Sequence, residues 1–306
     1  MSYIDPIIAG VKIGRLDERL HARGNDAPEK EWFIRKEAMA IASREGRLTD
    51  EIRYCGYVEE VSNEAVDQSV RLSADIATAL RIVLKWENTP TAAELRSIWD
   101  ASNKSNLMIL GADRQWQLDT AFEETAELLD LMLTDPSLDK TEHILHTIWT
   151  TKGFGQASRR MALLLSPFVL RKAFAAPHLL LGIAKYYALP VDVFDEPTRD
   201  ERIQDLLYAL SKGSEHSLEA SLKIARLEQE FATGIASRRG SGMERSIPRI
   251  ISSPVINATR LADSMQVTHK GAIVILERFE EAGILSKLDP TSPRTRSYIC
   301  HKAINL

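Results

Sequence analysis

Two cysteines in 306 residues, Cys55 and Cys300, exclude a disulfide-built scaffold, and with no CxxC or metal-type spacing they read as reduced thiols of a cytoplasmic protein. No apolar run reaches the roughly 18 to 20 residues that a membrane span needs. The nearest candidate, MALLLSPFVLRKAFAAPHLLLGIA, is divided by Arg171-Lys172 and by Pro167 and Pro177. The N-terminus MSYIDPIIAGVK has neither the basic start nor the long apolar stretch of a secretory signal. There is no GxSxG nucleophile elbow, no GxxxxGK[ST] phosphate loop, no HExxH and no GxGxxG after a strand. Sustained strand-type alternation is absent before residue 284. These absences predict a protein with no membrane partner, no cofactor and no metal.

What is present is helical. A composition of 44% hydrophobic and 27% charged residues suits a globular chain with a sizeable core. Apolar residues recur at three- and four-residue spacing over 31–46, 64–86, 91–103, 116–133, 139–150, 156–174, 177–187, 199–212 and 215–236. Prolines punctuate these segments, and Thr91, Asp139 and Asp195 lie at or near helix starts. Residues 1–233 are therefore expected to form an all-α body. Trp32, Trp86, Trp99, Trp116 and Trp149 fall on its apolar stripes and are expected in the core. His143 and His146 sit at i, i+3 with no carboxylate or cysteine to complete a metal set, so both are read as packing residues. GIASRRGSGMERS, residues 234–246, carries no apolar period and reads as a linker. Just before it, Ala220, Ile224, Leu227, Phe231 and Ile235 form a stripe broad enough to pack into a core.

Residues 247–306 have a different plan. Asn257 can cap a helix containing Leu261 and Ala262, Met265-Gln266-Val267 forms a turn, and Thr268 caps a second helix. On that second helix Ala272, Ile275, Leu276 and Phe279 share one face, and Gly283 supplies the left-handed end. A hairpin follows, from Ile284–Leu288 through Asp289–Pro293 to Arg296–Cys300. Helix, turn, helix and hairpin make a small winged helix-turn-helix. In that geometry the start of the second helix enters the major groove of duplex DNA and the wing meets the backbone. Thr268, His269 and Lys270 are the expected readers, with Lys287, Arg294, Arg296 and Arg260 as phosphate contacts. From Gly234 onward there are 11 Lys and Arg against 6 Asp and Glu, a net of +5, whereas the preceding residues, 28 against 37, carry −9. A basic tail on an acidic body agrees with that reading. Ile273 and Val274, on outward turns of the second helix, instead favour protein contact.

The body resembles Fic-domain proteins. RKEAMAIASREG, Arg35 to Gly46, is similar to their N-terminal inhibitory helix, with Glu37-Ala38 and Glu45-Gly46 eight residues apart. IWTTKGFGQASRRMALLLSPFVL, Ile148 to Leu170, has the outline of the Fic signature followed by its apolar helix. Many Fic proteins also end in a winged helix. The whole is similar as well to a rhizobial family that joins a helical domain of unknown function to a C-terminal helix-turn-helix. The resemblance implies nucleotidyl transfer to a hydroxyl, which needs a histidine base, an acidic metal ligand and a glycine-rich anion nest with arginines. This chain places Ile148 at the histidine, Lys152 at the acid, Gln156 at the first arginine and Arg159 at the second; Ile41 replaces the Ser or Thr of the inhibitory helix. Isoleucine has no proton acceptor for general-base work, and lysine repels a divalent cation.

The expected protein is mainly α: a catalytically inactive Fic-like helical body followed by a small winged helix-turn-helix domain, acting as a homodimeric, DNA-binding transcriptional regulator. Gly153, Gly155, Arg159 and Arg160 are the candidate anion-binding set for a phosphate-bearing effector. The alternatives are a divergent Fic-type nucleotidyl transferase and a protein–protein adaptor.

Overall fold

The computed structural model describes residues 4–24, 27–61, 66–106, 112–187, 197–235, 242–289 and 297–306. In chain order they form α1 (Pro6–Arg23), α2 (Glu29–Arg44), α3 (Glu51–Val58), α4 (Gln68–Val83), α5 (Ala92–Ser102), α6 (Ala112–Leu133), α7 (Leu138–Thr150), α8 (Ser158–Ala173) and α9 (Arg199–Gly234). Then come α10 (Gly242–Ser252), β1 (Val255–Asn257), α11 (Ala258–Met265), α12 (His269–Glu281), β2 (Ser286–Lys287), β3 (Ser297–Ile299) and α13 (His301–Ile304). The mainly helical class agrees with the periodicity.

The chain divides into two compact units. The first comprises residues 1–22, 33–48 and 72–218. Its centre is α8, where every residue from Arg160 to Leu170 is buried. A helix apolar on all sides has to be enclosed. Pro167, inside α8, has no N–H for the carbonyl of Leu163, and the neighbouring Ser166 hydroxyl donates to that oxygen at 2.8 Å. α7 packs along α8, and α5 and α6 pack on each other. α1 buries Ala9, Ile13, Leu16 and Leu20, a stripe at helical spacing. Thr91 caps α5 in a reciprocal capping box with Glu94.

The second unit comprises residues 23–32, 49–71 and 219–306. Ala220, Ile224, Leu227 and Phe231 of α9 are buried, as their stripe predicts, while Ile235 is half-buried. Glu29 is buried and accepts from Arg23 Nε at 2.6 Å and from the Ser221 hydroxyl at 2.9 Å. Toward the C-terminus the unit runs helix, strand, helix, helix, strand, strand. The sheet is antiparallel with order β1-β3-β2, pairing Ile256 with Tyr298 and Lys287 with Tyr298. Asn257 caps α11 by accepting from Arg260 N at 2.8 Å, Gln266 takes the left-handed turn (φ 53°), and Thr268 caps α12 by accepting from Gly271 N at 3.1 Å. Gly283 (φ 69°) closes α12: its N–H bonds to Glu280 O, and that of Ile284 to Phe279 O.

Several expectations are corrected. Residues 177–187 are not a helix, because Pro177 interrupts the chain just after α8 and Gly182 lies against Phe33 and the Glu37 carboxylate. The helices expected over 199–212 and 215–236 are one, since Gly213 is accommodated where α9 passes the Gly182 carbonyl and the Leu181 side chain. The linker is helical from Gly242, because Met243, Ile247, Ile250 and Ile251 find a buried face; residues 236–241 lie outside the described residues. β1 was not expected; three residues are too few to show an alternation, and it exists through its pairing with β3. Asp139 lies in the first turn of α7, as expected, beside the cap Ser137, and Asp195 lies outside the described residues. Of the five tryptophans only Trp32 is buried; Trp86, Trp99 and Trp149 are half-buried, and Trp116 is 69% exposed, on the outer side of α6.

Candidate functional site

Two places concentrate the residues singled out by sequence. The first is the junction between α7 and α8, in the first unit. Ile148 in the last turn of α7 is 0% exposed. After it Thr151 leaves the helix and residues Lys152–Ala157 form a 3-10 turn leading into α8. Phe154 anchors that turn by burying its ring 5.7 Å from Trp99 and 5.4 Å from Phe122. The Ser158 hydroxyl, at the start of α8, donates to Thr151 O at 2.8 Å.

The two glycines of the turn are required for different reasons, close approach at Gly153 and backbone conformation at Gly155. A Cβ on Gly153 would lie 2.5 Å from Ala121 Cβ and 2.6 Å from Gln117 O, so α6 fills that side. Gly155 has φ 57° and ψ −133°, a conformation essentially reserved for glycine, and its open side faces the Arg114 guanidinium. The two arginines have different partners. Arg159 stacks its guanidinium 5.2 Å from the centre of the Trp149 ring. Arg160 is buried, and its Nε and Nη2 donate to the two carboxylate oxygens of Glu45 at 2.6 and 2.5 Å. Its Nη1 donates to Ser102 O and Asn103 Oδ1, both at 2.8 Å. A guanidinium so engaged offers little to a phosphate. Gly153, Gly155 and the two arginines therefore share one junction, with Arg160 turned to protein acceptors. Arg114 was missed by sequence reasoning, because only the tertiary packing of α6 brings it to Gly155.

Glu45 follows the end of α2, and Glu37 lies on the helix itself. The Glu37 carboxyl is fully buried and accepts from Ala184 N at 3.0 Å. Burial pushes its pKa up to about 7, against the downward pull of backbone N–H donors from Ala184 and Ile183 and of the Arg44 charge. Lys152, Gln156 and His143 are exposed and His146 is half-buried. Among the described residues no group of three His, Cys, Asp or Glu side chains is placed to hold a metal ion.

The second place is the α11–α12 face, in the second unit. Thr268, His269 and Lys270 are all exposed, while Ala272, Ile275, Leu276 and Phe279 of the same helix are buried. Lys287 on β2 is exposed and pairs with Glu280 at 3.2 Å. Arg260 is half-buried and pairs with Glu60 at 2.5 Å. Ile273 is half-buried and Val274 exposed. Arg294 and Arg296 lie outside the described residues. Glu60 was not foreseen; its neighbourhood arises only because α3 packs on β1.

No helix among the described residues is long and apolar enough to cross a membrane. No protein-family profile matches the chain, and no curated protein does. Among solved structures, the chain is similar to a Fic family protein from Desulfovibrio desulfuricans G20, at 13% identity and a TM-score of 0.53, covering 98% of this chain and 97% of that one. At that identity the likeness is one of fold, and the chain has a mainly-α, Fic-like fold.

Proposed function

We propose that this protein is a DNA-binding transcriptional regulator whose Fic-like body does not transfer nucleotides. The observation that carries the reading is the first turn of α12. Thr268, His269 and Lys270 are exposed together at a capped helix start, with the opposite face buried and a short sheet beside it. That arrangement suits a winged helix-turn-helix, in which the helix start enters the major groove and the strands lie along the backbone. Thr268 and Lys270 suit phosphate and base-edge acceptors, and Lys287 suits the backbone. Binding as a homodimer would double a small interface on a two-fold operator.

The same reading makes the body a binding or regulatory domain. Ile148 fills the base position, is enclosed in the core and has no atom to accept a proton. The exposed ammonium of Lys152 replaces the acid. Gel shift of the full chain against genomic fragments tests the DNA reading, with salt-sensitive binding expected at about 100 mM salt. Lys270→Glu should weaken that binding and flatten its salt slope by about one ion. Incubation with labelled nucleoside triphosphates tests the inactivity, and label on any protein would overturn it. Val274, exposed on α12, favours a second reading in which the same face docks a protein; solution mass with and without duplex separates the two.

A further inference from the structure

We infer that the Glu59–Glu60 corner at the end of α3 is an acidic latch on Arg260, which a DNA phosphate must displace to use that arginine. The inference rests on the DNA-binding reading above and adds a competitor built into the same unit. α3 ends with the Glu60 N–H bonded to Tyr57 O at 3.0 Å and the Val61 N–H to Gly56 O at 2.8 Å. That paired closure needs a left-handed residue, and Glu60 supplies it at φ 53°. The ends of α2 and α12 put glycine at their left-handed positions, Gly46 and Gly283, while Ala175 and Gln266 take that conformation after α8 and α11. Glu60 therefore occupies a position where glycine is the less strained choice.

Arg260 is also locally misplaced. It lies in the first turn of α11, at the positive end of the helix dipole, where an anion is preferred to a cation. Each residue is compensated by the other: Arg260 Nη2 lies 2.5 Å from Glu60 Oε1. Glu59 holds the corner in place, its buried carboxylate accepting from Arg249 Nη2 on α10 at 2.8 and 3.0 Å. Arg260 Nε also donates to Glu59 O at 3.4 Å, so the corner as a whole holds the guanidinium. Two unfavourable local choices meeting in one ion pair mark a functional site better than a structural one. The arginine is suited to phosphate, and Glu60, 77% exposed on its side chain, can swing away into solvent. A surface pair of this kind is weak enough for a polyanion to break.

The test uses the full chain and fluorescence anisotropy of a labelled duplex for wild type, Glu60→Gly, Glu60→Gln, Arg260→Ala and the Glu60→Gly/Arg260→Ala double variant, with thermal melts of each. Glu60→Gly removes the carboxylate and relaxes the backbone, so its melting temperature should hold or rise. It should bind duplex about two- to fivefold tighter, with a salt slope steeper by about one ion. Glu60→Gln should show the same gain, and Arg260→Ala should abolish it. Wild type and both Glu60 variants binding equally would overturn the latch and leave the DNA reading standing. A Glu60→Gly chain that melts lower and binds no tighter would make the pair purely structural. Absence of duplex binding by every variant would overturn the DNA reading and the latch together.

Discussion

Arg160 grips Glu45 with two parallel hydrogen bonds, joining the residue after α2's last turn to the first turn of α8, 115 positions away in sequence. The two residues come from the two segments that resemble the inhibitory helix and the signature of Fic proteins. Arg160 makes the pair, while its neighbour Arg159 lies over the Trp149 ring.

Breaking that pair should destabilise the chain. Glu45→Ala leaves a buried guanidinium with only Ser102 O and Asn103 Oδ1 as acceptors. A loss of about 2–4 kcal/mol is expected, reduced from the fully buried case because Glu45 is partly exposed. Urea unfolding measures it, and a loss below about 1 kcal/mol would demote the pair to a surface contact.

Gly153→Ala should cost about 1–3 kcal/mol, because the new methyl meets Ala121 Cβ and the backbone oxygen of Gln117. The double variant with Ala121→Gly relieves only the first clash and should recover part of the loss. Thermal melts of the three chains check both statements.

Stability should fall as pH rises through the range set by Glu37. Burial lifts its folded pKa from 4.5 to about 7, so the folded chain holds a proton that the unfolded chain has released between those values. The stability linked to this proton is full below about pH 4.5, declines toward pH 7 and is then lost, by roughly 3 kcal/mol in all. Glu37→Gln should flatten that part of the stability profile. An unchanged slope between pH 5 and 7 in Glu37→Gln would show that other groups set it.

Replacing Ile148 by histidine should not create a working base. The position is enclosed in the core, so an imidazole would be buried without a planned partner, at about 2–4 kcal/mol. The variant should unfold at lower urea and transfer no labelled nucleotide. Transfer by Ile148→His would mean that the surrounding junction is still organised for chemistry.

Much of the architecture was legible in local signals. Thr91, Asn257 and Thr268 cap helices because a short side-chain oxygen reaches an N–H three residues on, a relation contained within four residues. Gly283 closes α12 by the same locality. The Ala272, Ile275, Leu276 and Phe279 face is buried, as helical spacing requires. Less was legible at the junction: Gly153 and Gly155 read as an anion nest, and nothing near them in sequence marks that Gln117, Ala121 and Arg114 of α6 lie beside them. Trp116 reads as core on its stripe, yet α6 turns it to solvent.

The amino-acid sequence by itself determined that the chain is mainly helical and where α5, α11 and α12 begin, because these follow from residue identity and short-range spacing. Tertiary structure alone decided that Arg160 is held by Glu45, that Gly153 lies against α6, that α9 is one helix and that Glu60 reaches Arg260. Each of these depends on which distant surfaces meet, and charge partners or close backbone approaches leave no periodic trace in the sequence from which to read them.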